Sequence, residues 1–216
     1  MKIHKGFPQL SESWFQLKRG RASASNFDKI MTAVQCKYSA QAPGYMRDLL
    51  VECFCPDYAK FLGNKFTERG TLMEPEARQA FRDHTGLTVE EVAFVTNEKW
   101  DHVVGASPDG LVTNEAGEYI AGFECKCPSP FTHAEYIEEG VLPNAYRMQC
   151  HGGMIATGLD KWHFWSYFPG LQPFHIIVER DDFTVKLEAA IDRFVIEYGA
   201  YRTKMTPLLQ LKPTTD

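Results

Sequence analysis

The sequence predicts an α/β protein in which a mixed β-sheet is flanked by helices. Three observations lead there. Helix start and stop signals fill the chain up to about Thr85, two-residue alternation takes over from Thr88, and helical and strand patterns then interleave until a long C-terminal helix. At 216 residues the chain fits a single domain, 1–216, with a flexible tail expected from about Pro207, where Pro207 and Pro213 bracket the last polar residues.

The elements follow in order. Ser11-Glu-Ser-Trp14 reads as a helix start that Gly20 ends, and Ser23 and Ser25 offer N-caps for a second helix over Asn26 to Met31. Tyr45 to Cys53 and Thr67 to His84 fit two more. Gly86 closes the latter, and Pro75 should kink it or mark a fresh first turn. Thr88 to Thr96, Val103 to Thr113 and Glu118 to Cys127 are rich in alternating and β-branched residues, separated by turn signals, and should be adjacent antiparallel strands. Beyond Pro128-Ser-Pro130 come helices at Phe131 to Glu139 and Pro143 to Ala156, aromatic-rich strands at Trp162 to Phe168 and Phe174 to Glu179, and a helix from Phe183 to Thr203.

Composition narrows the function. Apolar residues at 44% and charged residues at 24% match an ordinary soluble globular protein, and no uncharged apolar run approaches the ~20 residues needed to span a bilayer. The N-terminus lacks the apolar stretch of a secretory signal, so a cytoplasmic location is expected. Without such a signal, six cysteines argue for reduced thiols. The two C-x-C pairs miss the spacing of a structural zinc knuckle. A formal charge of −5 argues against a general nucleic-acid coating protein but not against a nuclease, whose metal-binding carboxylates count as negative.

The chemistry concentrates between Gly105 and Pro130. In a strand, successive side chains alternate faces, so Glu124 and Lys126 share one face while Cys125 and Cys127 share the other. Alone, that charged pair would be a solvated surface pair of little energetic worth. Asp109 changes the reading. The Pro108-Asp109-Gly110 turn and the following hairpin bring Asp109 beside Glu124, which makes two hard oxygen ligands suited to Mg²⁺ or Mn²⁺, with Lys126 about 6–7 Å along the strand. Phosphodiester cleavage needs such parts: a cation to activate water and neutralise phosphate, and a positive side chain to orient the nucleophile or stabilise charge.

Pro108-Asp109 followed by Glu124-Cys125-Lys126 resembles the PD-(D/E)xK nuclease signature, which implies a restriction-endonuclease-like core. Three more stretches resemble the lambda-exonuclease and YqaJ-type viral recombinase family: ESWFQLKRGRASAS its W-x-x-x-R-x-G-x-x-x-A-S element, RGTLMEPEARQAF its G-x-x-x-E-x-x-A-R-x-x-F helix, and AYRMQCHGGM its A-Y-x-x-Q helix. They occur in the family's order from Trp14 to about Met154. The resemblance implies that Asp109, Glu124 and Glu74 bind metal with the Cys125 carbonyl, that Lys126 is the catalytic lysine, and that Gln149 lies near the nucleophile. It implies that Ser25 and Ser107 hold a terminal 5′-phosphate. Lys18 stands where the family has arginine and Arg19 follows, which leaves open which of the two grips that phosphate, because only arginine binds it as a fork.

As a whole, the resemblance implies a Mg²⁺-dependent 5′-to-3′ exonuclease, with Mn²⁺ as a substitute metal, that digests one strand of linear double-stranded DNA. It further implies a homotrimeric ring around DNA, a single-strand annealing protein as partner in a bacterial host or prophage, and an apolar wedge at Phe66 or Leu62. Competing readings are an endonuclease or junction resolvase of the same fold, and a non-catalytic DNA-end binding protein. The intact carboxylate pair speaks against the last, since close carboxylates repel without a metal or proton between them. By the bland standard of each residue alone, Trp14, His151, His163 and the WHFWSYF strand are core or structural.

Overall fold

A computed structural model describes residues 1–56 and 68–210, with side chains of the second stretch from residue 72 onwards. Among the described residues nine strands lie in two mixed sheets. In the first, the order is β1 (Lys2–His4), β4 (Phe94–Thr96), β5 (Val104–Ala106), β2 (Ala22–Ser23); in the second it is β3 (Thr88–Glu90), β6 (Gly110–Thr113), β7 (Tyr119–Lys126), β8 (Lys161–Ser166), β9 (Phe174–Glu179). Six α-helices surround them among the described residues: α1 (Glu12–Lys18), α2 (Ala42–Phe54), α3 (Glu68–Thr85), α4 (Pro130–Glu139), α5 (Asn144–Thr157) and α6 (Asp182–Leu209). None is long and apolar enough to cross a membrane. The expected α/β class, with helices flanking mixed sheet and a long C-terminal helix, is what the chain adopts.

The expected strands Thr88 to Thr96 and Val103 to Thr113 are neighbours and antiparallel, but each divides between the two sheets. Pairing keeps one register throughout, from Thr88 with Thr113 through Glu90 with Leu111 to Val95 with Ala106 and Thr96 with Gly105. The two lines are thus one long ribbon, open in the middle. Pro108 lies in that opening, where a residue without an N–H cannot continue a ladder. Asp109 follows it at the junction of the sheets.

Local chemistry explains the helices. Ser11 caps α1 by accepting the Trp14 amide, Ser129 caps α4 by accepting that of Thr132, and Asp181 starts α6 with a capping box that includes Thr184. The expected helix at Asn26 to Met31 is a 3-10 segment at Ala24–Lys29 instead. Its short turns let Phe27 enter the core beside α5. α6 continues through Pro207 to Leu209, so the residues from Pro207 to Leu209, where a flexible tail was expected to start, are helical. The wedge candidates Phe66 and Leu62 lie outside the described residues.

The largest core cluster joins the 3-10 segment, α2 and α6, with Phe27, Leu49, Phe194 and Tyr198 all buried. The WHFWSYF strand packs the sheet, as expected: Trp162, Phe164 and Trp165 are buried. Gly152 and Gly153, which weaken a helix by roughly 1 kcal/mol each relative to alanine, let α5 approach closely. A Cβ at Gly152 would press on the Phe27 ring and one at Gly153 on the Trp162 ring. That approach brings α5 over the Glu124 carboxylate of β7.

Candidate active site

The β6–β7 register pairs Gly110 with Phe123, so one step on, Asp109 stands opposite Glu124. The Asp109 amide donates to the Phe123 carbonyl at 3.1 Å, and its Oδ2 accepts the Cys125 amide at 2.7 Å. β7 therefore holds Asp109 by backbone and side chain together. Lys126 Nζ pairs with Glu124 Oε1 and lies 3.7 Å from Asp109 Oδ2. It also sits 5.4 Å from the centre of the Tyr146 ring of α5.

Glu124 is wholly buried, and among the described residues neither of its oxygens accepts a hydrogen bond of normal geometry. Burial pushes its pKa up to about 8, against the pull of Lys126 and with the push of Asp109. For Lys126, burial disfavours the charge, but the Glu124 and Asp109 carboxylates outweigh it, and its pKa is raised. The lysine is a cation at neutral pH. Glu74, on α3, is raised by burial and then by Asp109, while Arg78 at 3.6 Å opposes the shift.

These groups open into a cleft of about 300 Å³. Asp109, Glu124 and Lys126 line it from the sheet, Gln149 from α5, and Lys18, Ser25 and Ser107 from the N-terminal elements and the ribbon opening. Gln149 and Gly153, four residues apart, face it from one side of α5. Lys18 Nζ lies over the Trp14 ring at 4.6 Å, its pKa lowered by burial although Glu52 opposes the shift. Ser107 Oγ accepts the Trp14 indole N–H at 3.0 Å.

Three of the sequence-derived residues stand apart from the cleft lining: Arg19, Glu74 and Cys125. Arg19 caps the C-terminal end of α1, and its charge is felt at Cys53 instead. Among the described residues no three His, Cys, Asp or Glu side chains converge to cage an ion, although Glu74 is near enough for Asp109 to raise its pKa and for its own charge to raise that of Glu124. The Cys125 side chain packs in the apolar cluster with Phe81 and Trp165, while its amide donates to Asp109 Oδ2. Sequence reasoning missed Gln9, Ser23, Asn26 and Trp162, which also line the cleft. Only the serine-rich SAS stretch around Ser23 carried a local signal.

The donor set fits a hard divalent cation. Two facing carboxylates, one of them buried and met among the described residues by no donor other than the Lys126 ammonium, form an oxygen-rich site that a hard cation would neutralise.

Comparison with known proteins agrees with this geometry. An alkaline exonuclease (LHK-Exo) from Laribacter hongkongensis is similar to the chain with a TM-score of 0.67 at 28% identity, over 92% of this chain and 100% of that one. The LHK-Exo structure in complex with dAMP matches at 29% identity with the same TM-score and coverage. A phage related exonuclease from Haemophilus somnus 129PT reaches a TM-score of 0.62 at 16% identity, over 88% of this chain and 99% of that one, a likeness of fold. No curated protein matches the chain. The model of the YqaJ-like viral recombinase domain matches residues 13–160, a span that holds the whole ribbon, β7 and α5, and the chain belongs to that family.

Proposed function

We propose that the protein is a Mg²⁺-dependent exonuclease that digests the 5′-ended strand of linear double-stranded DNA and leaves 3′ single strands for recombination by annealing. The observation that carries the reading is the meeting of Asp109, the buried Glu124 and the charged Lys126 in one cleft with Lys18, Ser25 and Ser107. Family membership and the likeness to alkaline exonucleases support it.

Asp109 and Glu124 are the residues that would hold Mg²⁺ or Mn²⁺, with Glu74 and the Cys125 carbonyl completing the oxygen set. When bound, the metal supplies Lewis-acid neutralisation of the phosphate and a more acidic attacking water. Lys126, kept protonated by its two carboxylate neighbours, acts as a cation rather than a base: it orients the nucleophile and stabilises charge on the phosphate oxygens. Gln149, across the cleft on α5, fixes the water by hydrogen bonding. Ser25 and Ser107 hydroxyls hold the terminal 5′-phosphate, and Lys18 rather than Arg19 supplies its counter-charge, because Lys18 lines the cleft. A homotrimeric ring around the duplex would make digestion processive, and a single-strand annealing protein would receive the product.

The test is a linear duplex carrying a 5′-phosphate on one strand, incubated with Mg²⁺ or with chelator beside a covalently closed circle. Selective Mg²⁺-dependent loss of the phosphorylated strand with the circle intact is expected. Nicking of the circle would instead make the protein an endonuclease, and binding without cleavage a DNA-end binding protein.

A further inference from the structure

The ribbon shared by the two sheets opens between Glu91 and Phe94 on one line and between Ser107 and Gly110 on the other, and the N-terminal segment fills the opening with side-chain donors. Gln9 Nε2 donates to the Pro108 carbonyl at 2.9 Å and reaches the Val92 carbonyl at 3.4 Å. Trp14 Nε1 is shared in the same way between the Ala93 carbonyl at 3.1 Å and Ser107 Oγ at 3.0 Å. One amide and one indole thus replace the missing rungs. Both span the two lines at the point where the ladder stops.

The Gln9 bond falls on a peptide that matters. The Pro108 carbonyl and the Asp109 amide belong to one planar unit. Gln9 grips its oxygen, and the Phe123 carbonyl of β7 accepts its N–H at 3.1 Å. Held at both edges, the plane cannot turn, and the Asp109 carboxylate is aimed along β7, where the Cys125 amide receives it. Leu10, next to Gln9, has φ of 65°, a left-handed conformation that a branched side chain adopts only when its surroundings impose it. The local backbone is bent at some cost in a way that presents Gln9 to the ribbon.

We infer that Gln9 is a positioning residue that sets the Asp109 carboxylate for metal binding by locking the Pro108–Asp109 peptide. The inference rests on the metal-dependent reading of the site. It assigns Gln9 no contact with the reacting atoms.

The experiment measures Mg²⁺ binding to the full-length protein by calorimetry without DNA, alongside the thermal midpoint of the metal-free protein, for wild type and Gln9→Met. Met keeps the length of the side chain and removes both donors. Loss of the hydrogen bond to the Pro108 carbonyl at about 1 kcal/mol corresponds to Mg²⁺ affinity weakened about fivefold, with the metal-free midpoint lowered by no more than about 4 °C. A purely structural Gln9 would lower the midpoint and leave Mg²⁺ affinity at the wild-type value, and that result overturns the inference. Should Gln9→Met fail to fold, Gln9→Asn carries the same test, since it keeps the amide but shortens its reach. Wild type that binds no Mg²⁺ overturns the metal centre and this inference together. Wild type that binds Mg²⁺ but digests no DNA overturns the exonuclease reading alone, while the effect of Gln9 on affinity still decides the inference.

Discussion

Lys126 lies between two carboxylates that play different parts. Its contact with Glu124 is buried, while Asp109 is 3.7 Å away and tied to the Cys125 amide. Removing the lysine leaves the carboxylates repelling each other unless a cation joins them. Lys126→Ala is therefore expected to lower turnover by at least about 10²-fold while Mg²⁺ and DNA still bind. Asp109→Ala removes an oxygen ligand and should weaken Mg²⁺ binding as well, so calorimetry showing normal Mg²⁺ affinity in that variant would count against the assignment. These residues were legible in the sequence because strand alternation alone puts Glu124 and Lys126 on one face, and a Pro-Asp-Gly turn before a hairpin points Asp109 at them. Gln9 was not, because its partners lie 83 and 99 residues away and no local pattern marks it.

Among the elements, β8 and β9 carry a pH dependence on the sheet face away from the cleft. His163 of β8 bonds His175 of β9 at 2.8 Å, the rings stack at 5.1 Å, and Phe81 of α3 meets both edge-on. Burial, then His175, then Lys161 lower the His163 pKa from 6.5 to about 4. Above about pH 6.5 the histidine is neutral folded or unfolded and its contribution to stability is complete. Between 6.5 and about 4 the unfolded chain takes up a proton that the folded chain refuses, so stability falls with pH. At about 1.4 kcal/mol per pKa unit, the loss is at most about 3 kcal/mol. His163→Phe should flatten the fall of the denaturation midpoint between pH 6.5 and 4; an unchanged slope would show that His163 does not carry it. β8 was readable from its aromatic residues and β9 from its β-branched ones, but the histidine pair required knowing that β9 returns antiparallel beside β8. β1 and β2, at three and two residues, are too short to show periodicity.

For the whole molecule, several large apolar side chains lie in solvent in the isolated chain. Val185 and Ile196, three turns apart on α6, are 65% and 75% exposed, and Phe131 on α4 is 80% exposed. The proposed ring predicts that equilibrium sedimentation finds a trimer, and that Ile196→Asp lowers its association; a monomer at micromolar concentration would remove the ring and its account of processivity.

What the sequence determined by itself is the order and type of the main elements, the facing of Asp109, Glu124 and Lys126, and the resemblance that led to the family. These depend on periodicity, turn residues and the short spacings of hairpins and motifs, which act between residues near one another in the chain. The tertiary structure alone decided that one ribbon serves two sheets, that Lys18 faces the cleft while Arg19 does not, and that Gln9 and Trp14 close the gap at Pro108. Each of those depends on which distant groups satisfy a hydrogen bond or fill a space once the sheets have formed. A missing rung at a proline is written in the sequence, but the residue that replaces it is chosen by packing.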